Sequence, residues 1–287
     1  MKPGQFAYHA PRTADEAVAL LGKVAPLEGR IIAGGQSLVP AMALRLAMPP
    51  HLVDINGVAG FDRLAVEAGE LSIGPCVRHA AFHRPVADGP LGKMLSVIAR
   101  HIAHLPIRTR GTFCGSLANA DPASEWCLVA ATLNAKLVAR STRGSRTIAA
   151  AAFFKGTMAT ALAADEMLVE ARLPLLAAGT RCGFHKVNRR AGDFAIAMAL
   201  AAYRVEGGAI VQPRVGIGGV ESHSRRIAEA EAALLGRAPG AEAFEAAAEA
   251  AAKAIHTGDE KPGMAAYQRD VTRAAVRRAL EAAEKDA

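Results

Sequence analysis

The stretch IIAGGQSLVP, residues 31–40, constrains the fold more than any other part of the sequence. An apolar run leads into Gly34 and Gly35, and a segment of helical character follows them. Upstream, residues 13–16 read TADE, a capping box that predicts a helix before the apolar run. The Pro-bounded PPHLVDIN downstream is typical of a buried strand. This order of helix, strand, glycine turn, helix and strand predicts a small α/β unit over residues 1–56.

A second unit is predicted over residues 57–176. RLAVEAGELSIGPCV indicates two short strands, and LGKMLSVIARHIAHL indicates an amphipathic helix that would include His101 and His104. NADPASEWCLVAATL predicts a further helix with Asp121 as its N-cap and Pro122 at its first position. The strand pair AKLVAR and SRTIAA and the closing strand EMLVEARLP complete this unit.

The remainder, residues 177–287, is predicted to form a C-terminal α+β domain. TRCGFHKVNRR, FAIAMALAAYRV and AIVQPRVGIGGV indicate a sheet of three strands, and Ala-rich segments over residues 224–285 indicate helices. The glycines of VGIGGV do not indicate a Rossmann loop, because such a loop follows a strand and opens a helix. We interpret them as structural positions in a strand. The fold class predicted for the chain is α+β.

Composition and cysteine spacing exclude several classes of protein. The 287 residues are 51% hydrophobic, which suits two or three compact units, and no apolar run is long enough to span a bilayer. The first residues lack the apolar segment of a signal peptide, so a cytoplasmic or matrix-like location is expected. Cys76, Cys114, Cys127 and Cys182 show no Cys-x-x-Cys spacing. We therefore expect free thiols, with any iron–sulfur cluster on another chain.

The positive charge does not indicate a nucleic-acid partner. The net charge is +7, but the arginines are scattered and only 5% of the residues are aromatic. Nucleic-acid binding uses clustered basic residues, often with aromatic rings that stack on bases. A solvated basic surface is the favoured interpretation.

Two glycine-rich loops, AGGQS at residues 33–37 and GTFCGSLANADP at residues 111–122, carry the strongest chemical signal. Backbone N–H groups in such turns form anion nests, and a following helix N-terminus favours phosphate oxygens. Two loops in consecutive units, with Ser37, Thr112 and Ser116 near the glycines, suggest a dinucleotide pyrophosphate between the units. Two ordinary tight turns are the alternative, and the residues alone leave both interpretations open.

Three separated blocks, AGGQSLVPAMALRLAMPPHLVDIN, RGTFCGSLANADPASE and KVNRRAGDFA, resemble the FAD-binding medium subunit of the molybdenum hydroxylases, the family of xanthine dehydrogenase and carbon monoxide dehydrogenase. The resemblance covers essentially the whole chain in the same order. It implies a two-part FAD-binding domain of the PCMH type, as in vanillyl-alcohol oxidase, followed by a C-terminal α+β domain. It also implies that the two glycine loops wrap the FAD pyrophosphate.

The resemblance further implies FAD-binding residues on both loops and on the segments around them. Leu168 and Val169 would lie against the cofactor, and Lys186 would reach the isoalloxazine region. The full implied set is Ile31, Ile32, Ala33, Gly34, Gly35, Gln36, Ser37, Leu38, Ile102, Ala103, Ile107, Gly111, Thr112, Cys114, Gly115, Ser116, Ala118, Asp121, Glu125, Leu168, Val169 and Lys186. No catalytic residue and no metal ligand is implied, because the cofactor carries the chemistry.

Two positions depart from the pattern of the family. Cys114 stands where many relatives have a second glycine, and Glu125 stands where many have Asp. A cysteine is small and leaves its backbone N–H free, and Glu keeps an acceptor for ribose hydroxyls, so we still expect FAD. A turn near a helix start would favour the thiolate form of Cys114. We nevertheless interpret Cys114 as a small side chain that fits the turn.

The family also implies partners. Substrate is hydroxylated at a molybdopterin-type molybdenum centre on a large subunit, and electrons pass through two two-iron two-sulfur clusters on a small subunit to FAD. The chain would then be the electron-transfer flavoprotein subunit of a heterotrimer, which forms dimers. Two alternatives stay open, a stand-alone flavin reductase that uses a nicotinamide and an assembly protein that has lost FAD.

For three kinds of side chain, a structural interpretation stands beside the functional interpretation. Lys186 would stabilise negative charge on reduced flavin, but a lysine of unknown surroundings is usually a solvated surface residue. His101 and His104 have no third ligand nearby, so a surface or capping role is favoured over a metal site. Trp126, the single tryptophan, is expected in the core or at a subunit interface.

Overall fold

The computed structural model of the protein describes residues 2–257 and 263–285. Residues 1, 258–262 and 286–287, which the predicted units include, lie outside the described residues. Three larger sheets follow one another along the chain, and helices pack against each of them. Among the described residues, every helix is too short or too polar to span a lipid bilayer.

The first sheet is parallel, with the strand order β1-β3-β2. Its elements in chain order are β1 (Ala7–His9), α1 (Ala14–Val24), β2 (Arg30–Ile32), α2 (Leu38–Ala43) and β3 (His51–Asp54).

The predicted capping box at the start of α1 is present. The Thr13 hydroxyl accepts a hydrogen bond from the Glu16 N–H, and the Glu16 carboxylate accepts one from the Thr13 N–H. The helix then buries Val18, Leu21 and Val24 against the first sheet and its neighbours. This packing holds the strand that leads into the first glycine loop.

The second sheet is antiparallel, with the strand order β4-β5-β10-β6-β7. A separate two-stranded sheet joins β8 and β9. The elements of this part in chain order are β4 (Leu64–Glu67), β5 (Glu70–Ile73), α3 (Gly89–Ala99), α4 (Leu105–Arg108), α5 (Phe113–Asn119), α6 (Glu125–Thr132), β6 (Lys136–Ser141), β7 (Gly144–Ala149), α7 (Ala150–Phe153), β8 (Phe154–Gly156), β9 (Ala159–Thr160) and β10 (Met167–Pro174).

An aromatic cluster forms the centre of the second core. The Trp126 ring lies 5.0 Å from the Phe82 ring and 4.9 Å from the Phe113 ring, measured between centroids. All three side chains are fully buried. The core position predicted for Trp126 is therefore confirmed, and the cluster fixes α5 and α6 beneath the second glycine loop.

The third sheet is antiparallel, with the strand order β11-β12-β13-β14. The elements are β11 (Arg181–Val187), β12 (Ala197–Glu206), β13 (Ala209–Gly218), β14 (Arg225–Arg226), α8 (Ala228–Leu234), α9 (Ala241–Ala254) and α10 (Met264–Lys285). The three predicted strands are present, and the two-residue β14 adds a fourth at the edge, where the sequence pattern indicated a helix.

Close packing of backbone explains the Gly and Ala content of the third part. A Cβ placed on Gly183 in β11 would lie 2.0 Å from the Ala279 carbonyl oxygen of α10. Only glycine allows the helix to approach the strand so closely. The Ala-rich helices thus serve as the predicted scaffold.

Two local predictions were wrong. His101 and His104 do not share a helix, because α3 ends at Ala99 and Ala103 has a φ of +39°. His104 is extended and precedes α4, so the two rings are not on one helical face.

The helix predicted to begin at Pro122 begins instead at Glu125, with Ser124 in the N-cap position. The Asp121 carboxylate accepts a hydrogen bond from the Ala123 N–H at 2.8 Å. Asp121 therefore forms a local turn that delays the helix, rather than capping it.

Candidate functional site

The two glycines of the first loop meet different structural needs. A Cβ on Gly34 would lie 2.4 Å from the Arg110 carbonyl oxygen and 2.7 Å from the Gly111 Cα. Gly34 therefore lets the first loop approach the backbone of the second. Gly35 has a φ of +70°, a left-handed conformation that favours glycine. One glycine allows contact between the loops, and the other makes the turn.

The second loop is shaped by a helix cap. The Thr112 hydroxyl accepts a hydrogen bond from the Gly115 N–H at 3.0 Å, which caps α5. A Cβ on Gly115 would lie 2.5 Å from the same hydroxyl oxygen. The glycine is thus required by the cap itself.

Two side chains outside the loops join them. The Asn56 amide donates to the Ala33 carbonyl at 2.7 Å, and Arg78 donates to the Asn56 amide oxygen at 2.7 Å. A second Arg78 N–H donates to the Arg110 carbonyl oxygen. The first loop is therefore linked through Asn56 and Arg78 to Arg110, which directly precedes the second loop. Sequence reasoning did not single out Asn56 or Arg78.

Both loops line one cavity of about 490 Å³, within the range for small-molecule and cofactor sites. Every residue implied by the resemblance except Val169 lies on its wall. These residues are Ile31, Ile32, Ala33, Gly34, Gly35, Gln36, Ser37, Leu38, Ile102, Ala103, Ile107, Gly111, Thr112, Cys114, Gly115, Ser116, Ala118, Asp121, Glu125, Leu168 and Lys186. Their contact with FAD stays a prediction.

Val169 lies outside the cavity. The pairing of β10 with β6 shifts register between Leu168 and Glu170, and side chains alternate between the faces of a strand. Leu168 lies on the cavity wall, and Val169 packs against the core of the first part. That either residue lies against FAD, as the resemblance implies, stays a prediction.

A buried ion pair stands at the cavity wall. The Lys186 ammonium lies 2.7 Å from the Glu125 carboxylate, and the two side chains are only 2% and 8% exposed. The ammonium also donates to the His101 carbonyl oxygen at 3.1 Å. Burial raises the pKa of Glu125, and the Lys186 charge opposes this shift. The surface alternative for Lys186 is wrong, because β11 directs it inward.

The Cys114 thiol is enclosed rather than reactive. It is 2% exposed and lies 3.5 Å from the Ile73 carbonyl oxygen. Burial raises its pKa far above that of an ordinary thiol, so the thiolate is disfavoured. The structure supports the interpretation of Cys114 as a small side chain that fits.

The cavity also contains residues that the sequence did not single out. His79 precedes the second loop by many residues, and no local spacing connects the two. Gly192, Asp193 and Phe194 follow β11 and lie within the block KVNRRAGDFA, so the resemblance could have included them. Phe194 is 73% exposed at this edge.

The donor set fits a flavin dinucleotide. The glycine loops leave their backbone free of side chains where the phosphates would lie. Ile102, Ile107 and Leu168 give an apolar wall for a flat ring, and Glu125 with Lys186 gives a charged edge. Apolar walls with few convergent polar groups are typical of cofactor sites.

Family models match nearly all of the chain. Residues 4–176 match the FAD binding domain in molybdopterin dehydrogenase, and residues 183–283 match the CO dehydrogenase flavoprotein C-terminal domain. The nicotine 6-hydroxylase medium subunit of Paenarthrobacter nicotinovorans is 36% identical over 280 residues, 98% of each chain. The carbon monoxide dehydrogenase medium chain of Hydrogenophaga pseudoflava is 34% identical over 284 residues, covering 99% of this chain and 98% of that one.

Solved structures have the same fold. A chain of carbon monoxide dehydrogenase from Hydrogenophaga pseudoflava superposes with a TM-score of 0.93 at 36% identity, covering 99% of both chains. A chain of quinoline 2-oxidoreductase from Pseudomonas putida 86 superposes with a TM-score of 0.90 at 34% identity, again over 99% of both. The protein therefore belongs to the FAD-binding medium subunits of the molybdenum hydroxylase family, which are parts of oxidoreductase complexes.

Proposed function

We propose that this chain is the electron-transfer subunit of a three-subunit molybdenum hydroxylase. FAD bound in the cavity would accept electrons from two two-iron two-sulfur clusters on a small partner subunit and pass them to an external acceptor. Substrate would be oxidised at a molybdopterin-type centre on a large partner subunit. The complex would be a dimer of such heterotrimers.

The observation that carries this proposal is the meeting of both glycine loops and Lys186 around one cavity. The loop backbone would hold the pyrophosphate, with Gly34 and Gly35 keeping side chains away from it. Lys186 would present positive charge where negative charge develops on reduction, and Glu125 would hold the ammonium in position. The role of this chain is therefore to bind and orient the cofactor and to adjust its potential.

The names of the relatives support a shared subunit rather than a shared substrate. One is a nicotine 6-hydroxylase medium subunit and another is a carbon monoxide dehydrogenase medium chain, at 36% and 34% identity. Near-equal similarity to proteins named for such different substrates supports substrate selection on the large subunit. The same names favour a medium subunit over the stand-alone flavin reductase or an assembly protein without FAD.

Cofactor analysis tests the proposal. We would record visible spectra and identify released cofactors for the full chain expressed alone and for the complex purified from its source. Stoichiometric FAD in the complex, with iron–sulfur and molybdenum absorption only there, is the expected result. Stoichiometric iron or molybdenum on the isolated chain would contradict the assignment of those centres to partners. A complex without flavin would contradict the proposal as a whole.

A further inference from the structure

His79 lies directly beneath the second glycine loop. It begins the 3-10 helix His79–His83, and its N–H donates to the Gly111 carbonyl oxygen at 2.9 Å. A Cβ placed on Gly111 would lie 2.5 Å from the His79 Nε2 atom. The imidazole therefore occupies the space that a side chain of the loop would otherwise need.

The tautomer of His79 follows from one hydrogen bond. The Trp126 Nε1 atom lies 2.9 Å from His79 Nδ1, and both side chains are buried. An indole N–H can only donate, so Nδ1 must be the acceptor. A neutral imidazole carries one ring proton, which must then be on Nε2.

The imidazole is also held neutral. Burial, together with the smaller effects of the Arg78 and Arg108 guanidinium groups, lowers the pKa of His79 to about 4. Near neutral pH the ring is therefore an uncharged donor at Nε2.

This donor faces the cavity without a partner. His79 is 4% exposed and lies on the cavity wall, and no acceptor within the described part of the chain forms a hydrogen bond with Nε2. Nε2 is not fully enclosed, and the residue that carries it lies on the cavity wall. Leaving a nearly buried N–H without a hydrogen-bond acceptor costs free energy, and a ligand that supplies the acceptor removes this cost.

We propose that His79 is a cofactor-binding residue whose Nε2–H donates a hydrogen bond to a pyrophosphate oxygen of FAD, and that Trp126 holds it in the required tautomer. The assignment to the pyrophosphate rests on the proposed function of the adjoining loop. Trp126 does not line the cavity, so it acts only through His79. The contact adds an imidazole donor to the backbone N–H groups of the glycine loops.

This contact is tested by adding FAD to the cofactor-free full chain of four variants and measuring the dissociation constant from flavin fluorescence. His79→Met removes the donor at similar volume, and we expect FAD to bind roughly tenfold more weakly. His79→Gln offers both an acceptor for Trp126 and an N–H for the phosphate, and should stay within about threefold of the wild type. Trp126→Phe frees the tautomer and should weaken binding by about threefold to tenfold. Phe82→Leu is the matched control, because it disturbs the same aromatic cluster but keeps both partners of the Trp126–His79 hydrogen bond, and its affinity should be unchanged.

Nitrogen-15 spectra of histidine-labelled chain give a readout that does not depend on activity. The wild type should show His79 protonated at Nε2 before FAD is added, and the Nε2 resonance should move when FAD binds. Tight FAD binding with an unmoved resonance, or equal affinity of wild type and His79→Met, would overturn the inference and leave the proposed function intact. Absence of FAD from both the isolated wild-type chain and the purified complex would overturn both. Equal weakening by Trp126→Phe and Phe82→Leu would make Trp126 a packing residue only and would remove its part of the proposal.

Discussion

At the scale of single residues, the Glu125–Lys186 pair is a buried ion pair on the cavity wall. Removing both groups from water is costly, and the close contact of 2.7 Å offsets that cost only while both charges are present. Of the three N–H groups of Lys186, Glu125 and the His101 carbonyl accept two. Within the described part of the chain no acceptor is found for the third. The pair thus fixes the position of the ammonium group on the cavity wall.

Lys186→Met should destabilise the protein without a large change in packing volume. The substitution leaves the Glu125 carboxyl buried without its counter-charge, and we expect the free energy of unfolding to fall by about 3–5 kcal/mol. Urea unfolding of the full chain measures the loss.

The matched control is the double variant Glu125→Gln with Lys186→Met, which removes both charges and should recover most of the stability. Lys186→Met as stable as the wild type would contradict a buried, coupled pair. With FAD bound, the Lys186→Met single variant should also show a lower flavin midpoint potential, because the proposed function places the Lys186 charge near the reduced ring.

At the scale of elements, the sequence predicts what is local and misses what depends on tertiary contacts. The capping box of α1 was predictable because Thr13 and Glu16 interact within one turn. That Val169 lies off the cavity wall was not predictable, because the local geometry of β10, with its register shift against β6, depends on the partner strand. His79 was missed because only the fold brings its ring beneath Gly111. Most of the cavity wall was predictable, since the resemblance carried it and both loops are continuous segments.

Gly34→Ala should separate the two glycine loops. Its Cβ would lie 2.4 Å from the Arg110 carbonyl oxygen, a backbone atom that cannot move without displacing the second loop. We expect at least a tenfold loss of FAD affinity, roughly 1.4 kcal/mol or more, measured by fluorescence titration of the full chain.

Gly60→Ala is the control for this variant. Gly60 has a φ of +77° and no heavy atom within 4 Å of its would-be Cβ, so the substitution strains the backbone without a clash. It should lower stability modestly and leave FAD affinity unchanged. Equal loss of FAD in the two variants would mean that general destabilisation, rather than the contact between loops, controls retention.

At the scale of the whole molecule, the third sheet closes the cavity that the first two parts begin. β11 supplies Lys186, and the segment after it supplies Phe194. The third sheet lies very close to α6: a Cβ placed on Gly216 in β13 would be only 1.8 Å from the Thr132 hydroxyl oxygen. Close packing of this kind favours unfolding of the third part together with the second.

FAD should therefore stabilise the chain as one cooperative unit. At a free FAD concentration of 100 times the dissociation constant, binding adds about 2.7 kcal/mol to the free energy of unfolding. Because residues from all three parts line the cavity, we expect a single calorimetric transition that moves to higher temperature as a whole. The Gly34→Ala variant serves as the control, since FAD at the same concentration should shift its transition much less. Two transitions, of which only one responds to FAD, would show that the C-terminal part unfolds independently and that its contacts with the cofactor contribute little.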